Sequence, residues 1–171
     1  MIYCEFFVPG KPQGKGRPRF SRRGGFVRTY TPERTVSYEL SIKAAALVAW
    51  QALVLEDEQR KELLGEPCRV SIVARFAVPQ SWARARRTGA QKLCPGKPDL
   101  DNIAKVVLDA AHDVLWRDDK TVQALAVRKR YAVDGEEEGV QVRVEWREEG
   151  EVLRRARRAR KGLWLCEEWV G

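Results

Sequence analysis

Two pairs of aspartates, one helix-length apart, are the residues of this chain whose spacing indicates chemistry. Asp99 and Asp101 form the first pair, and Asp118 and Asp119 form the second. The 171-residue chain is otherwise basic, with 32 Lys and Arg residues against 24 Asp and Glu residues. Carboxylates concentrated in a basic protein indicate a divalent metal site, because Mg²⁺ and Mn²⁺ prefer oxygen ligands. A metal site on a basic surface is typical of enzymes that cut nucleic-acid phosphodiesters.

The first pair needs a particular backbone arrangement. Side chains at i and i+2 of a helix point about 200° apart, so two helical aspartates would diverge. Asp99 and Asp101 converge if Asp99 is the non-helical N-cap, accepting hydrogen bonds from backbone N–H groups, and Asp101 lies in the first turn. Asp101, Lys105 and Asp109 then share one helix face, opposite an apolar stripe. Lys105 is expected one turn above the metal, where it holds a carboxylate or contacts a phosphate.

The second pair reaches the same ion only if the strand that follows it folds back along the helix. Each piece alone also has a plainer interpretation. Asp118 and Asp119 fit a turn, Asp99 fits a helix cap, and Lys105 fits a solvated face or an ion pair with Asp101. It is the combination of acid pairs, lysine and basic loops that favours a nuclease.

Two Gly- and Pro-rich loops, residues 10–29 and 80–98, carry many of the basic residues. Phosphate contacts from such loops hold DNA without reading its bases. Phe20, Phe26 and Tyr30 belong to or adjoin the first loop, and they either wedge between unstacked bases or pack within the loop. The residues predicted to bind DNA are Lys11, Lys15, Arg17, Arg19, Arg22, Arg23, Arg28, Arg84, Arg86, Arg87 and Lys97.

Hydrophobic periodicity predicts an α/β (α+β) fold, with a small mixed β-sheet packed against helices in the order β-α-β-α-β-β. Strands are predicted at residues 2–8, 70–78, 122–131 and 140–144, with a turn at 134–135. One helix is predicted from residue 32 to about 54, with a charged helical extension over 56–66. A second is predicted over 100–115. The stripe predicted to bury the first helix consists of Leu40, Ala44, Leu47, Val48 and Leu55.

The length fits one domain, residues 1–147, followed by a basic, Trp-containing and helical C-terminal extension over 148–171. No run of 18 apolar residues and no signal peptide is visible, so we expect a cytoplasmic protein without membrane contact. The 4 cysteines are scattered, and only one histidine is present. Zinc chemistry, a disulfide framework and a Ser-His-Asp triad are therefore not expected. A net charge of +8 favours a polyanionic partner.

The ordered motifs of the chain resemble the RusA family of Holliday junction resolvases, or crossover junction endodeoxyribonucleases. The resemblance lies in Asp-Leu-Asp-Asn-Ile-Ala-Lys at 99–105, Leu-Asp-Ala at 108–110 and Trp-Arg-Asp-Asp at 116–119. The basic opening at 10–19 and Tyr-Thr-Pro at 30–32 also match many members. The resemblance covers roughly residues 2–146. The extension after about residue 148 and the loop over 84–97 go beyond compact members.

The resemblance implies a phage- or prophage-associated homodimer that nicks two opposed strands of a four-way DNA junction in recombination and repair. It implies Mg²⁺ dependence, and the carboxylate ligands by themselves suit Mn²⁺ as well. Carried onto this chain, Asp99, Asp101 and Asp119 become the catalytic, metal-binding acids, Asp118 an accessory metal ligand, and Lys105 the functional lysine. The alternatives are a nuclease that prefers flap or duplex DNA, and a non-catalytic DNA-binding homologue.

Overall fold

A computed structural model describes residues 2–23, 26–80, 94–133 and 135–146. Within these residues the structure combines a mixed sheet with helices, which confirms the predicted mixed α/β class. Their bounds are β1 Ile2–Pro9, β2 Arg19–Arg23, β3 Phe26–Tyr30, α1 Glu33–Gln51, α2 Asp57–Leu63, β4 Cys68–Phe76, α3 Leu100–Ala111, a 3₁₀ turn Asp119–Thr121, β5 Val122–Tyr131 and β6 Gly139–Trp146.

Four strands of the described part of the chain form the main sheet, in the order β1-β6-β4-β5. Strands β4 and β5 are parallel, and β6 lies antiparallel between β1 and β4. Because parallel neighbours need a long connection, the chain crosses from β4 to β5 through α3. This crossover places α3 between the two acid pairs, and it leaves β5 at one edge of the sheet.

The core lies on one face of this sheet. Every second residue of β4 is buried, from Cys68 through Val70 and Ile72 to Phe76, as expected for a strand with one face against helices. The buried residues of β1, β4 and β6 join those of α1 and α3 in one hydrophobic cluster. Burial on that face is what holds α3 against the sheet, because its Ile103, Val106 and Val107 are fully enclosed.

The predicted apolar stripe of α1 is wrong. Leu40 and Val48 are 62% and 67% exposed, and Leu47 is also exposed. The buried residues of this helix are Thr35, Tyr38, Ile42, Ala46 and Trp50. Apolar residues occupy both sides of α1, so periodicity did not determine which side meets the sheet. The helix also ends at Gln51, with Pro32 as its N-cap, and the charged segment after it forms the separate helix α2.

The predicted loop over residues 10–29 contains a β-hairpin, which the expected element order lacked. Strands β2 and β3 pair antiparallel as a separate two-stranded sheet. The hairpin projects Phe20 and Phe26, which are 72% and 76% exposed, so these rings do not pack within a loop. Tyr30 is 48% exposed. A hairpin of this size buries little apolar surface, which is why its sequence resembles a loop.

Helix α3 ends earlier than predicted. His112 is extended, and Asp113 adopts a left-handed conformation with φ of 62°. The Asp113 N–H donates to the Trp116 carbonyl at 2.9 Å and closes a turn. Val114, Leu115 and Trp116 are buried in this turn, so their apolar spacing imitates a continuing helix.

Some predictions concern segments outside the described residues. Arg84, Arg86 and Arg87 lie there, and so do Asp134 and the proposed extension over 148–171. Within the described part, no helix is both long and apolar enough to cross a membrane.

Candidate active site

Asp99 and Asp101 lie at the N-terminus of α3. Asp99 is the N-cap residue, with φ of −70° and ψ of 152°, and Asp101 lies in the first turn, as predicted. The Asp99 carboxylate does not accept the expected N–H hydrogen bonds of a cap. Both side chains are exposed, and neither pairs with another described residue. Two carboxylates are thus available to a cation, at the helix end whose dipole favours negative charge.

Lys105 lies one turn after Asp101, on the same exposed side of α3. Its ammonium has no hydrogen-bond partner among the described residues. Asp109, one further turn along, pairs with Lys15 Nζ at 2.8 Å. Lys105 is therefore a cation available to a phosphate next to the free carboxylates.

Asp119 is positioned by a buried indole. Trp116, which is fully buried, donates its Nε1–H to Asp119 Oδ1 at 3.1 Å. Asp119 itself remains exposed. Asp118 differs, because it accepts from the Lys120 backbone N–H at 3.0 Å and pairs with Lys120 Nζ at 3.0 Å. These hydrogen bonds lower the pKa of Asp118.

The two acid pairs lie at opposite ends of α3. A helix of 12 residues extends about 18 Å. Asp119 precedes Val122, which pairs with Cys68 at the beginning of β4. Pro98, next to Asp99, accepts from Lys129 Nζ at 2.9 Å near the other end of β5. Strand β5 does run back along α3. Asp118 and Asp119 precede this strand, however, so they lie at the end of α3 that is far from Asp99.

A single chain therefore does not gather the predicted ligands. Among the described residues, no group of three His, Cys, Asp or Glu side chains is placed to hold a metal ion. The carboxylate chemistry of Asp99 and Asp101 fits Mg²⁺ or Mn²⁺. Within one chain, however, these two carboxylates are only part of the ligand set that a metal ion needs.

Lys15 attaches the first basic loop to both helices. Its ammonium lies 2.5 Å from Glu39 Oε1 on α1 and 2.8 Å from Asp109 Oδ2 on α3. Its backbone N–H donates to the Asn102 carbonyl at 2.9 Å. Burial acts to lower the pKa of Lys15, but hydrogen bonds to Asp109 and Glu39 outweigh it, so that the pKa is raised. Lys15 was predicted to bind phosphate. In the structure its ammonium is instead paired with two carboxylates.

The loop borders an open cleft of about 770 Å³ beside Asp99. Four of the predicted DNA-binding residues line this cleft: the ion-paired Lys15, and Lys11, Arg17 and Lys97. Arg34 lines it too, and sequence reasoning missed it. Its position in the first turn of α1, two residues after Pro32, was the available signal. Arg19, Arg22, Arg23 and Arg28 lie on the hairpin strands.

The cysteines in the described residues are not suited to nucleophilic catalysis. Cys4, Cys68 and Cys94 are buried and unpaired by disulfides. Burial raises the pKa of the Cys4 thiol to about 12 and that of Cys68 to about 11. At neutral pH such thiols are protonated, and the thiolate is the reactive form.

Comparisons with known proteins agree with the motifs. A family model described as "Endodeoxyribonuclease RusA" matches residues 9–145, most of the chain. That match spans Asp99, Asp101, Lys105 and Asp119. A protein of Bacillus subtilis (strain 168), "Uncharacterized protein YqaN", is 30% identical over 137 residues, which are 77% of this chain and 90% of that protein. Its name gives no activity.

Proposed function

Because this chain belongs to the RusA family of endodeoxyribonucleases and is therefore a DNA-hydrolysing enzyme, we propose that it resolves four-way DNA junctions by paired, Mg²⁺-dependent nicks. The observation that carries the proposal is the N-terminus of α3, within the matched region. There Asp99 and Asp101 present carboxylates that no described residue pairs with, and Lys105 presents an ammonium, likewise without a partner among the described residues, one turn away. Two acids beside one cation suit a metal-dependent phosphodiesterase.

In this proposal Asp99 and Asp101 hold the metal together with Asp119. When bound, Mg²⁺ supplies charge stabilisation for the phosphoryl transition state. Lys105 contacts a non-bridging oxygen of the cleaved phosphate. Asp118 is less suited to ligation, because Lys120 already occupies its carboxylate. Mn²⁺ is an alternative ion for the same oxygen ligands.

The separation of the acid pairs supports a homodimer with shared active sites. The strand rise over the six residue-to-residue steps from Cys68 to Ala74 corresponds to roughly 20 Å, and the acid pairs flank this stretch. One ion cannot bridge that gap. A two-fold dimer removes it if Asp119 of the partner subunit joins Asp99 and Asp101. Two such sites match the two strands that a resolvase must cut.

The outer edge of β5 supports this arrangement. No described strand pairs with that edge, and an unpaired edge readily accepts another strand. Leu125, midway along β5, is 44% exposed although it faces the helix layer with its neighbour Val70. Antiparallel pairing of Leu125 with its own copy would set Thr121 of the partner subunit opposite Lys129. It would thereby bring the partner's Asp119 towards the N-terminus of α3.

The first experiment compares the cutting of a four-way junction, a flap and a plain duplex at one salt concentration, with Mg²⁺. We expect paired nicks in the junction and little cutting of the other substrates. Asp101→Asn should abolish the nicks while leaving junction binding intact, because the carboxylate serves the chemistry. Equal rates on all three substrates would refute resolution, and persistent cutting by Asp101→Asn would refute the role of Asp101.

A complementation experiment tests the shared site. Asp101→Asn and Asp119→Asn subunits are each expected to be inactive alone. In a mixed dimer, one composite site combines both substitutions and the other contains neither. Mixing and refolding the two variants should therefore restore single nicks in a junction. If each chain held its complete site, no mixture would recover activity.

A further inference from the structure

The cleft beside Asp99 concentrates unpaired positive charge. It lies between the loop over residues 11–17 and the first turns of α1 and α3, and four exposed cations line it: Lys11, Arg17, Arg34 and Lys97. Within the described residues, none of the four forms an ion pair. Among the described residues that line the cleft, Asp99 is the only one with a carboxylate.

Several other cations of the described residues do have acidic partners. Lys15 pairs with Glu39, Lys120 with Asp118, and Arg130 with Glu136. Four unpaired cations around one cleft repel each other, and a polyanion would relieve that repulsion. We propose that this cleft binds the backbone phosphates of the DNA strand next to the cleaved phosphate, with Arg34 as a phosphate ligand. This inference rests on the proposed function, because it assumes that cleavage occurs at Asp99 and Asp101.

The cleft wall is preorganised for such a ligand. Gly14 lies so close to α3 that a Cβ there would be 2.9 Å from the Cβ atoms of Asn102 and Pro98. A Cβ at Gly16 would be 2.5 Å from Thr35 Oγ1. The absence of a side chain at both glycines lets the loop pack this closely, and the ion pairs of Lys15 hold it against both helices. A wall that is already ordered loses little conformational entropy when it binds DNA.

The path continues along α1. A second cleft, of about 510 Å³, shares Lys11, Gln13 and Arg34 with the first and extends to Ser37 and Ser41. Arg34 thus lies where the two clefts meet. A groove of this form suits an extended strand held by several phosphates, rather than a single small anion.

The test measures the junction affinity of the Asp101→Asn protein as a function of salt, with and without Arg34→Ala. Loss of one phosphate contact should lower the slope of log K against log salt by about 0.9. The affinity change between about 50 and 200 mM salt should then shrink by about 3.5-fold. Lys43→Ala is the matched control: Lys43 is an exposed cation of the same helix, nine residues further on and so on the opposite side. It should leave the slope unchanged.

Methylphosphonate substitution locates the contact. Neutralising one phosphate at a time along a junction strand should weaken binding at several positions. At the phosphate that contacts Arg34, the loss should disappear in the Arg34→Ala protein, as in a double-mutant cycle. The inference would be overturned if Arg34→Ala left the salt slope unchanged and if each methylphosphonate weakened binding by the same factor in both proteins.

The outcomes separate this inference from the proposed function. If the wild-type protein does not nick junctions, junction resolution is refuted. The proposed role of the cleft is still supported if one methylphosphonate weakens binding of the wild-type protein but not of Arg34→Ala. If the wild-type protein resolves junctions but Arg34→Ala has the same salt slope as Lys43→Ala, the proposed role of the cleft is refuted and junction resolution is supported.

Discussion

At the scale of single residues, one buried ion pair anchors the end of the sheet farthest from Asp119. The Arg130 side chain is only 6% exposed, and Glu136 accepts hydrogen bonds from both of its terminal nitrogens and from the Val133 N–H. The hydrogen bond from Arg130 is the largest cause that lowers the pKa of Glu136 to about 2, from an ordinary value of 4.5. The pair lies on β5 and the turn after it, so it fixes the β5–β6 connection.

This lowered pKa predicts an acid-dependent loss of stability. Because the folded state favours ionised Glu136, its contribution is fully present above pH 4.5 and is lost as the pH falls towards about 2. Glu136→Gln should reduce the free energy of unfolding by about 2 kcal/mol at pH 7. It should also flatten the pH dependence below 4.5, measured by urea denaturation at several pH values. Glu137→Gln, at the exposed neighbouring position, is the control; an equal loss in both variants would contradict the assignment.

At the scale of elements, the N-terminal loop, α1 and α3 form one unit through Lys15. Its ammonium lies between Glu39 of α1 and Asp109 of α3. All three side chains are partly shielded from water, with Lys15 26% exposed. Without this cation, few side-chain contacts would hold the loop at the helix N-termini, because the loop is rich in Gly and Pro.

Removal of this cation should loosen the unit. Lys15→Met leaves Glu39 and Asp109 without their shared partner, so the free energy of unfolding should fall by about 1 to 2 kcal/mol. Lys43→Met, on the exposed side of α1, should change it by less than about 0.5 kcal/mol. Chemical denaturation of both variants checks the difference. Full stability of Lys15→Met would show that the ion pairs contribute nothing.

At the scale of the whole molecule, two exposed apolar surfaces are candidates for the dimer interface. One is Leu125 on the edge strand β5, and the other is the outer side of α1 with Leu40 and Val48. In the proposed dimer, pairing at the β5 edge would bring opposite ends of α3 together across the two-fold axis. That pairing would account for the separation of Asp119 from Asp99 within one chain.

Charge substitutions at these surfaces should separate the two possibilities. Leu125→Glu would place carboxylates opposite each other at the two-fold axis, so it should yield monomers that no longer nick junctions. Leu40→Glu, on α1, should remain dimeric and active. Light scattering after size exclusion reports the mass, and a junction assay reports the nicks. Dissociation by Leu40→Glu instead would place the interface on α1.

Local patterns were enough to predict much of this fold. Strand β5 begins and ends where periodicity placed it, and Asp99 is the N-cap that the spacing with Asp101 required. The alternation of Val140, Val142 and Val144 likewise predicted the buried side of β6. These features depend on residues a few positions apart, whose geometry the backbone itself determines.

Tertiary structure decided what depends on long-range contact. Only packing selected the buried side of α1, because both sides carry apolar residues, and only the fold brought Arg34 to the cleft of Lys97. The aspartates illustrate both cases. Their residue types and order, determined by the sequence, indicate metal-dependent cleavage of DNA. Their separation by the length of α3, decided by the crossover between parallel strands, explains why the proposed site needs a second subunit.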